Sequence, residues 1–149
     1  MSNASLLYEN RDGVAWLTMN RPDAMNSISL DMVALFEEYL TQIAADAGIR
    51  VLVITGRGKA FCAGADLKQV LDSLNVPPGE PDFLDRLCDN VLNPLRDFPK
   101  PVIAALNGIT MAGGLETAMC ADLVVAVESA RIGDAHANFG VYPGAGGAA

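Results

Sequence analysis

The chain has 149 residues, a formal net charge of −8 and a hydrophobic fraction of 51%. This length predicts one domain that buries a sizeable core without disulfide or metal cross-links. The acidic balance argues against a nucleic-acid backbone or an anionic membrane as the main partner, because both attract basic surfaces. The apolar fraction is higher than a small monomer needs, which predicts subunit contacts or a further segment that covers apolar surface.

The cysteines and the N-terminal segment predict the compartment. The chain has three cysteines, an odd number, at positions Cys62, Cys88 and Cys120. They are widely spaced, and no two have the spacing of a metal or redox site. The first residues lack the basic run and apolar stretch of a secretion signal, and no apolar run approaches the ~18 residues of a membrane span. We therefore expect a soluble cytoplasmic protein with reduced thiols and no metal.

The first third of the chain predicts a hairpin, a helix and a strand. Residues 6–20 form two apolar runs around Asp12-Gly13, the dipeptide of a two-residue hairpin turn. Ser29 offers an N-cap oxygen, and apolar residues then recur on one face up to Gly48, which predicts an amphipathic helix of about five turns. The run "RVLVITG" predicts a buried strand.

The remaining elements predict an α/β domain. Residues 76–81, "VPPGEP", indicate an exposed connection, and a second helix is expected to follow as far as about Arg96. "PVIAAL" predicts a buried strand, residues 113–121 a helix, and "DLVVAV" a third buried strand. Such alternation is typical of parallel sheets, whose active sites lie where strands end and helices begin.

Two strand-to-helix junctions are rich in glycine and alanine, "GRGKAFCAGADL" and "NGITMAGGLE". Small residues let backbone amides approach a ligand, and a helix that begins near Gly113 leaves its first amides unpaired. Two such junctions side by side would supply converging N–H donors for an oxyanion, with Glu116 as the nearest carboxylate. Tight packing is the commoner reason for such loops, so the spacing leaves both interpretations open.

The end of the chain contains two further motifs. "GAGGAA" matches a dinucleotide-binding fingerprint, but no strand clearly leads into it and no helix or acidic residue follows it. A serine nucleophile elbow is absent. The only histidine, His136, stands two residues after Asp134 and is either a catalytic group or a packed residue.

Four blocks, taken in order, resemble one known family. "NRPDAMNSIS", "GRGKAFCAGADL", "PVIAALNGITMAGGLETAMCADLVVA" and "FGVYPGAGG" are similar to the motifs of the enoyl-CoA hydratase/isomerase, or crotonase, superfamily over about residues 6–147. The resemblance implies a ClpP/crotonase-like spiral of ββα units that forms trimers or pairs of trimers. It also implies an acyl-CoA substrate, no separate cofactor and a role in fatty acid metabolism. Because family members continue further, we expect residues 1–149 to be a single core domain that is incomplete at its C-terminus.

The resemblance also assigns binding residues. By motif position, the two oxyanion-hole amides of the family fall on Ala65 and Gly113, where they would hold the thioester oxygen. The coenzyme A groove would be lined by the backbone of Ala24 and Met25, by Lys59, and by Ala63, Gly64, Ala65, Asp66, Leu67 and Lys68. The two lysines are local cations in an acidic chain and are suited to the coenzyme A phosphates.

The hydratases of this family use two glutamates, one to activate water and one to protonate the α-carbon. Glu116 matches the first, whereas the second position falls on His136. A histidine can accept or donate a proton near neutral pH, and Asp134 would orient its ring or act in its place. We therefore predict an enoyl-CoA hydratase, a lyase. A double-bond isomerase, an acyl-CoA hydrolase and a non-catalytic acyl-CoA-binding half-domain remain alternatives.

Overall fold

A computed structural model describes residues 4–140 and 142–144, and these residues contain eight strands and five α-helices. The strands are β1 (Leu6–Arg11), β2 (Val14–Met19), β3 (Val51–Gly56), β4 (Ala60–Cys62), β5 (Val102–Leu106), β6 (Ile109–Met111), β7 (Leu123–Ala126) and β8 (Ile132–Gly133). The helices are α1 (Leu30–Ala45), α2 (Leu67–Ser73), α3 (Phe83–Leu87), α4 (Asn93–Arg96) and α5 (Gly113–Met119). Most of the "GAGGAA" run, from residue 145 onward, lies outside the described residues.

The strands form two sheets. The larger has the order β1-β2-β3-β5-β7 and the smaller β4-β6-β8. Among the described strands only β1 and β2 pair antiparallel, around a turn in which Asp12 and Gly13 have φ angles of 53° and 83°. Two successive positive φ angles are those of a type I′ turn, so the predicted hairpin is confirmed. All other pairs are parallel, which confirms the predicted α/β class.

Helix α1 covers the larger sheet with the face that its sequence period predicts. Its buried residues are Met32, Val33, Phe36, Leu40 and Ile43. Ser29 occupies the N-cap position, but its hydroxyl bonds the Asp31 side chain and makes no capping bond to the helix backbone. The predicted cap bond is therefore wrong. Gln69 of α2 replaces it, because its side-chain oxygen accepts the Leu30 amide at 2.7 Å.

A second helical layer follows the exposed connection at residues 76–81 and runs to Arg96, as predicted. It comprises α3, a π-helical turn at Cys88–Leu92, and α4. Pro94 has no amide hydrogen, so the regular i→i−4 bond to Asn90 cannot form at this point. The adjoining amide of Asn93 reaches Cys88 five residues back. Buried residues of this layer extend the core under the site described below.

The prediction that "DLVVAV" forms a buried strand is only partly right. "DLVVAV" does form a strand paired with β5, but all four residues of β7 are exposed, with Leu123 at 60% and Val125 at 56%. The strand is the edge of its sheet, and no described residue covers its faces. None of the helices in the described part of the chain is long and apolar enough to cross a membrane.

Candidate active site

The small sheet organises the site. Strands β4, β6 and β8 are parallel, so their carboxyl ends share one edge. The segments that leave these three ends carry Ala65, Gly113 and His136 respectively. These strands have two or three residues each and were not predicted individually, because so short a run shows no alternation.

The two small-residue junctions lie in contact. A methyl group built on Gly113 would stand 3.4 Å from the amide nitrogen of Ala65. Gly113 begins α5, so its amide has no acceptor within the helix. A methyl group built on Gly114 would stand 2.2 Å from the Cys62 carbonyl oxygen, which shows that α5 packs directly on the backbone of β4. The structure thus brings together the two amides that the sequence singled out.

Ala65 is held by a short parallel bridge to Ile28. The Ile28 amide donates to the Gly64 carbonyl and the Asp66 amide donates to the Ile28 carbonyl, each at 2.8 Å. These bonds use backbone groups on one side of the segment, so the Ala65 amide is directed to the other side. Ala65 and Gly113 both line a cavity of about 430 Å³.

The cavity has an apolar body and a few polar groups. Its apolar side chains include Val70, Leu84, Leu87, Phe139 and Tyr142. Glu116 and His136 also line it, and both side chains are shielded from solvent, with exposed fractions of 4% and 11%. A mostly apolar pocket with few convergent polar groups is typical of a small-molecule site.

Glu116 and His136 face each other. Glu116 lies one turn into α5, where the positive end of the helix stabilises a carboxylate. Its Oε2 is 3.5 Å from Nε2 of His136. The structure therefore joins two residues twenty positions apart in the chain that the sequence assigned to acid–base chemistry.

Asp134 holds the other side of the His136 ring. Its Oδ1 lies 2.5 Å from Nδ1 and accepts the His136 backbone amide at 3.0 Å. The hydrogen bond from the His136 backbone amide has the largest effect on Asp134 and the bond to the His136 ring the next largest. Both hold the pKa of Asp134 below its usual value. Asp134 is 58% exposed and is not part of the cavity wall, so its position suits an orienting group.

The residues predicted for the coenzyme A groove divide into two sets. The cavity wall includes Ala63, Gly64, Ala65, Asp66, Leu67, Lys68 and Gly113. Ala24, Met25 and Lys59 are exposed and are not part of this wall. Met25 nevertheless lies beside the first set, since its carbonyl accepts the Ala63 amide at 3.0 Å.

Sequence reasoning missed three residues that shape these loops. Asn26 is fully buried, accepts the Arg21 amide at 2.8 Å and donates to the Ala60 carbonyl at 2.8 Å. Ala112, just before Gly113, has φ 47° and ψ −122°, a conformation that glycine adopts far more readily. An asparagine four residues after Pro22, in a segment rich in turn formers, was the available signal for Asn26. Ala112 and Arg21 gave none.

All three cysteines are free. Burial raises the pKa of Cys62 to about 12, so its thiol stays protonated. Burial likewise raises the pKa of Cys88 and Cys120. No group of three or more His, Cys, Asp or Glu side chains among residues 4–140 and 142–144 is placed to hold a metal ion.

Known proteins match this chain closely. The family model of enoyl-CoA hydratase/isomerase matches residues 9–149, and the chain belongs to this family. The 1,2-epoxyphenylacetyl-CoA isomerase of Escherichia coli is 38% identical over 95% of this chain and 55% of its own length. The crotonyl-CoA hydratase of Syntrophomonas wolfei is 34% identical over 99% of this chain and 56% of its own length.

Solved structures agree with the family assignment. The enoyl-CoA hydratase of Bacillus anthracis has a TM-score of 0.83 at 34% identity, covering 95% of this chain and 55% of that one. The crotonase-like fold predicted from the motifs is thereby confirmed. The chain spans about half the length of the relatives that it matches.

Proposed function

We propose that the chain carries the catalytic core of an enoyl-CoA hydratase, which adds water across the double bond of a trans-2-enoyl-CoA. One observation carries the proposal: buried Glu116 faces His136 in the cavity that the adjoining residues Ala65 and Gly113 also line. Relatives named hydratase and isomerase support this class of reaction.

The two amides supply the electrostatic part of the mechanism. The thioester oxygen would accept hydrogen bonds from Ala65 and Gly113, and negative charge grows on that oxygen as an enolate forms. Fixed donors about 3 Å from the oxygen stabilise such charge without reorganisation. Conjugation links the oxygen to the β-carbon, so these bonds make the β-carbon more electrophilic.

Glu116 and His136 supply the proton transfers. The Glu116 carboxylate takes a proton from water as the water oxygen bonds to the β-carbon. The His136 imidazolium gives its Nε2 proton to the α-carbon, which discharges the enolate. Water is thus added across the double bond, and the proton held by Glu116 restores the pair.

In this proposal His136 takes the place of the second family glutamate as the proton donor. The Asp134 carboxylate beside Nδ1 would keep a proton on that nitrogen, and Nε2 is the ring atom that faces Glu116. The proposed mechanism requires a proton on Nε2 and none on Glu116, which gives one acid and one base. Two glutamates that hold one proton between them have the same capacity.

The substrate's coenzyme A part needs a separate set of contacts. We propose that Lys68, on the cavity wall, and Lys59 pair with its phosphates, while Ala24 and Met25 border the groove. No cofactor beyond the substrate itself is required by this chemistry. We further propose a single core domain of a longer cytoplasmic enzyme of fatty acid metabolism that assembles as a trimer or a pair of trimers.

A second candidate is thioester hydrolysis, which the Asp134–His136 pair favours. A carboxylate on Nδ1 orients histidine as a general base in many hydrolases. Water activated by His136 would then attack the thioester carbon, and the carbon–sulfur bond would break with the thiolate of coenzyme A as leaving group.

Product analysis separates these reactions. The full chain is incubated with crotonyl-CoA, and loss of the conjugated thioester absorbance is followed together with free thiol. Formation of 3-hydroxybutyryl-CoA without thiol release supports the hydratase, and thiol release from both crotonyl-CoA and saturated butyryl-CoA supports the hydrolase. Conversion of a 3-enoyl-CoA to the conjugated isomer without hydration would indicate an isomerase. Binding without any turnover would contradict all three activities.

A further inference from the structure

The Arg21 side chain joins two segments of the site. Its guanidinium donates to the Ser27 carbonyl at 2.6 Å and to the Ser27 hydroxyl at 3.2 Å. Its other terminal nitrogen bonds the Asp66 carboxylate at 3.0 Å. The Arg21 and Asp66 side chains are only 26% and 19% exposed, so solvent screens this ion pair less than one on the open surface.

These contacts flank Ala65. Asp66 follows Ala65 directly, and Ser27 precedes Ile28, which bridges Ala65 through the backbone. The Arg21 guanidinium therefore links the same two segments as the two Ile28 backbone bonds, through the neighbouring residues Ser27 and Asp66. A shift of residues 27–28 against residues 64–66 would move the Ala65 amide.

The backbone of Arg21 is itself anchored. Its backbone amide donates to the side chain of buried Asn26, and Asn26 is anchored on β4 through the Ala60 carbonyl. Arg21 is not part of the cavity wall. Arg21 therefore does not touch a molecule in the cavity, and its structural effect passes through the residues that it bonds.

We propose that Arg21 is a positioning residue, which fixes the Ala65 amide in the oxyanion hole by tying Ser27 to Asp66. The proposal rests on the proposed function, because it requires Ala65 to donate to a thioester oxygen. A donor displaced by about 1 Å loses much of its effect on the transition state, and misplacements of this size cost about 10²-fold in rate.

The test measures the hydrogen bond at the thioester directly. Butyryl-CoA labelled with carbon-13 at its carbonyl binds without a double bond to hydrate, and difference infrared spectroscopy reports the carbonyl stretching frequency in the complex. We expect the wild type to lower this frequency and Arg21→Met to lose most of the lowering. Turnover of crotonyl-CoA should fall about 10²-fold in kcat, with a smaller change in KM.

Arg11 supplies the matched control. It forms an ion pair with Glu9 at 2.7 Å on the exposed hairpin, with side chains 55% and 52% exposed. Arg11→Met removes the same charge and an arginine–carboxylate pair, together with a contact of Arg11 with the Trp16 ring at 4.8 Å, and we expect the carbonyl frequency and kcat to stay at wild-type values. Arg21→Lys keeps the charge but offers one nitrogen in place of the two that bond Ser27 and Asp66, and it should give an intermediate frequency.

Two results would overturn the proposal in distinguishable ways. A wild type that leaves the carbonyl frequency unchanged removes the oxyanion hole, and with it both the proposed function and the role of Arg21. A wild-type shift that persists in Arg21→Met removes the role of Arg21 alone. Should Arg21→Met fail to fold, Asp66→Asn tests the same tie, because asparagine still caps α2 but lacks the charge.

Discussion

The oxyanion-hole candidate and the acid–base pair are built in different ways, although α5 contributes to both. Gly113 offers its backbone amide at the first residue of this helix, and Glu116 offers its side chain one turn later. The partner of Gly113 is another amide, whose position depends on bonds across the Ile28–Ala65 bridge. The partner of Glu116 is a side chain held by one local contact to Asp134. Backbone donors should therefore respond to changes in packing, and the acid–base pair to single side-chain replacements.

The largest effect is expected at Glu116. Glu116→Gln keeps the shape of the side chain but cannot take a proton from water, so turnover should fall by at least 10²-fold. Acyl-CoA binding should stay nearly intact. The measurement is crotonyl-CoA turnover beside an equilibrium binding titration, with Glu38→Gln on the exposed face of α1 as the control. Turnover equal to the wild type would remove Glu116 from the mechanism.

The next effect distinguishes a catalytic from a packing role for His136. His136→Ala should cut turnover sharply, whereas His136→Glu should preserve or improve hydration because it restores two carboxylates. If the ring only fills space, alanine should cost about 1 kcal/mol of stability and leave the rate per folded molecule unchanged. Turnover normalised to the folded fraction decides between these outcomes.

A smaller effect is expected on the backbone side. Ala112→Gly should raise the free energy of unfolding by about 1 kcal/mol, because it releases strain at a positive φ that costs an alanine of order 1–3 kcal/mol. Ala34→Gly, on the exposed face of α1, should lower it by about 1 kcal/mol. Urea denaturation measures both. Equal losses for the two variants would show that Ala112 is not strained.

The smallest effect concerns acid pH. The pKa of Asp134 is lowered in the folded chain, so its contribution to stability is present above the usual value of 3.8 and is lost as pH falls through the lower folded value. Asp134→Asn should therefore reduce the slope of stability against pH below about pH 4. Urea titrations from pH 3 to pH 7 should show wild type and variant converging at the acid end; parallel curves would contradict this.

Elements with a clear period could be predicted from the sequence. Helix α1 and strands β2, β3 and β5 present enough residues for a pattern, and the Asp12-Gly13 turn has its own signature. Strand β8 has two residues and shows none. The exposure of β7 could not be predicted either, because an apolar run does not show whether anything covers it.

The site could be predicted only where motifs or local chemistry specify it. Glu116 and the Gly113 amide follow from a glycine-rich helix start, and the resemblance pointed to His136. The distance between Glu116 and His136 depends on how β6 and β8 pair, which no local pattern encodes. Arg21 and Asp66 are 45 residues apart, so their ion pair required the folded structure.

The residues of the site differ in how easily they can be exchanged, because the strands of the small sheet are short. Strand β4 packs on α5 through its backbone, because a Cβ on Gly114 would meet the Cys62 carbonyl oxygen at 2.2 Å. Strand β8 has only two residues, and the segment that follows it carries His136. Exchanging the residue at position 136 leaves the β4–α5 packing untouched. A replacement after β8 should therefore change the proposed acid–base chemistry without disturbing the proposed oxyanion hole.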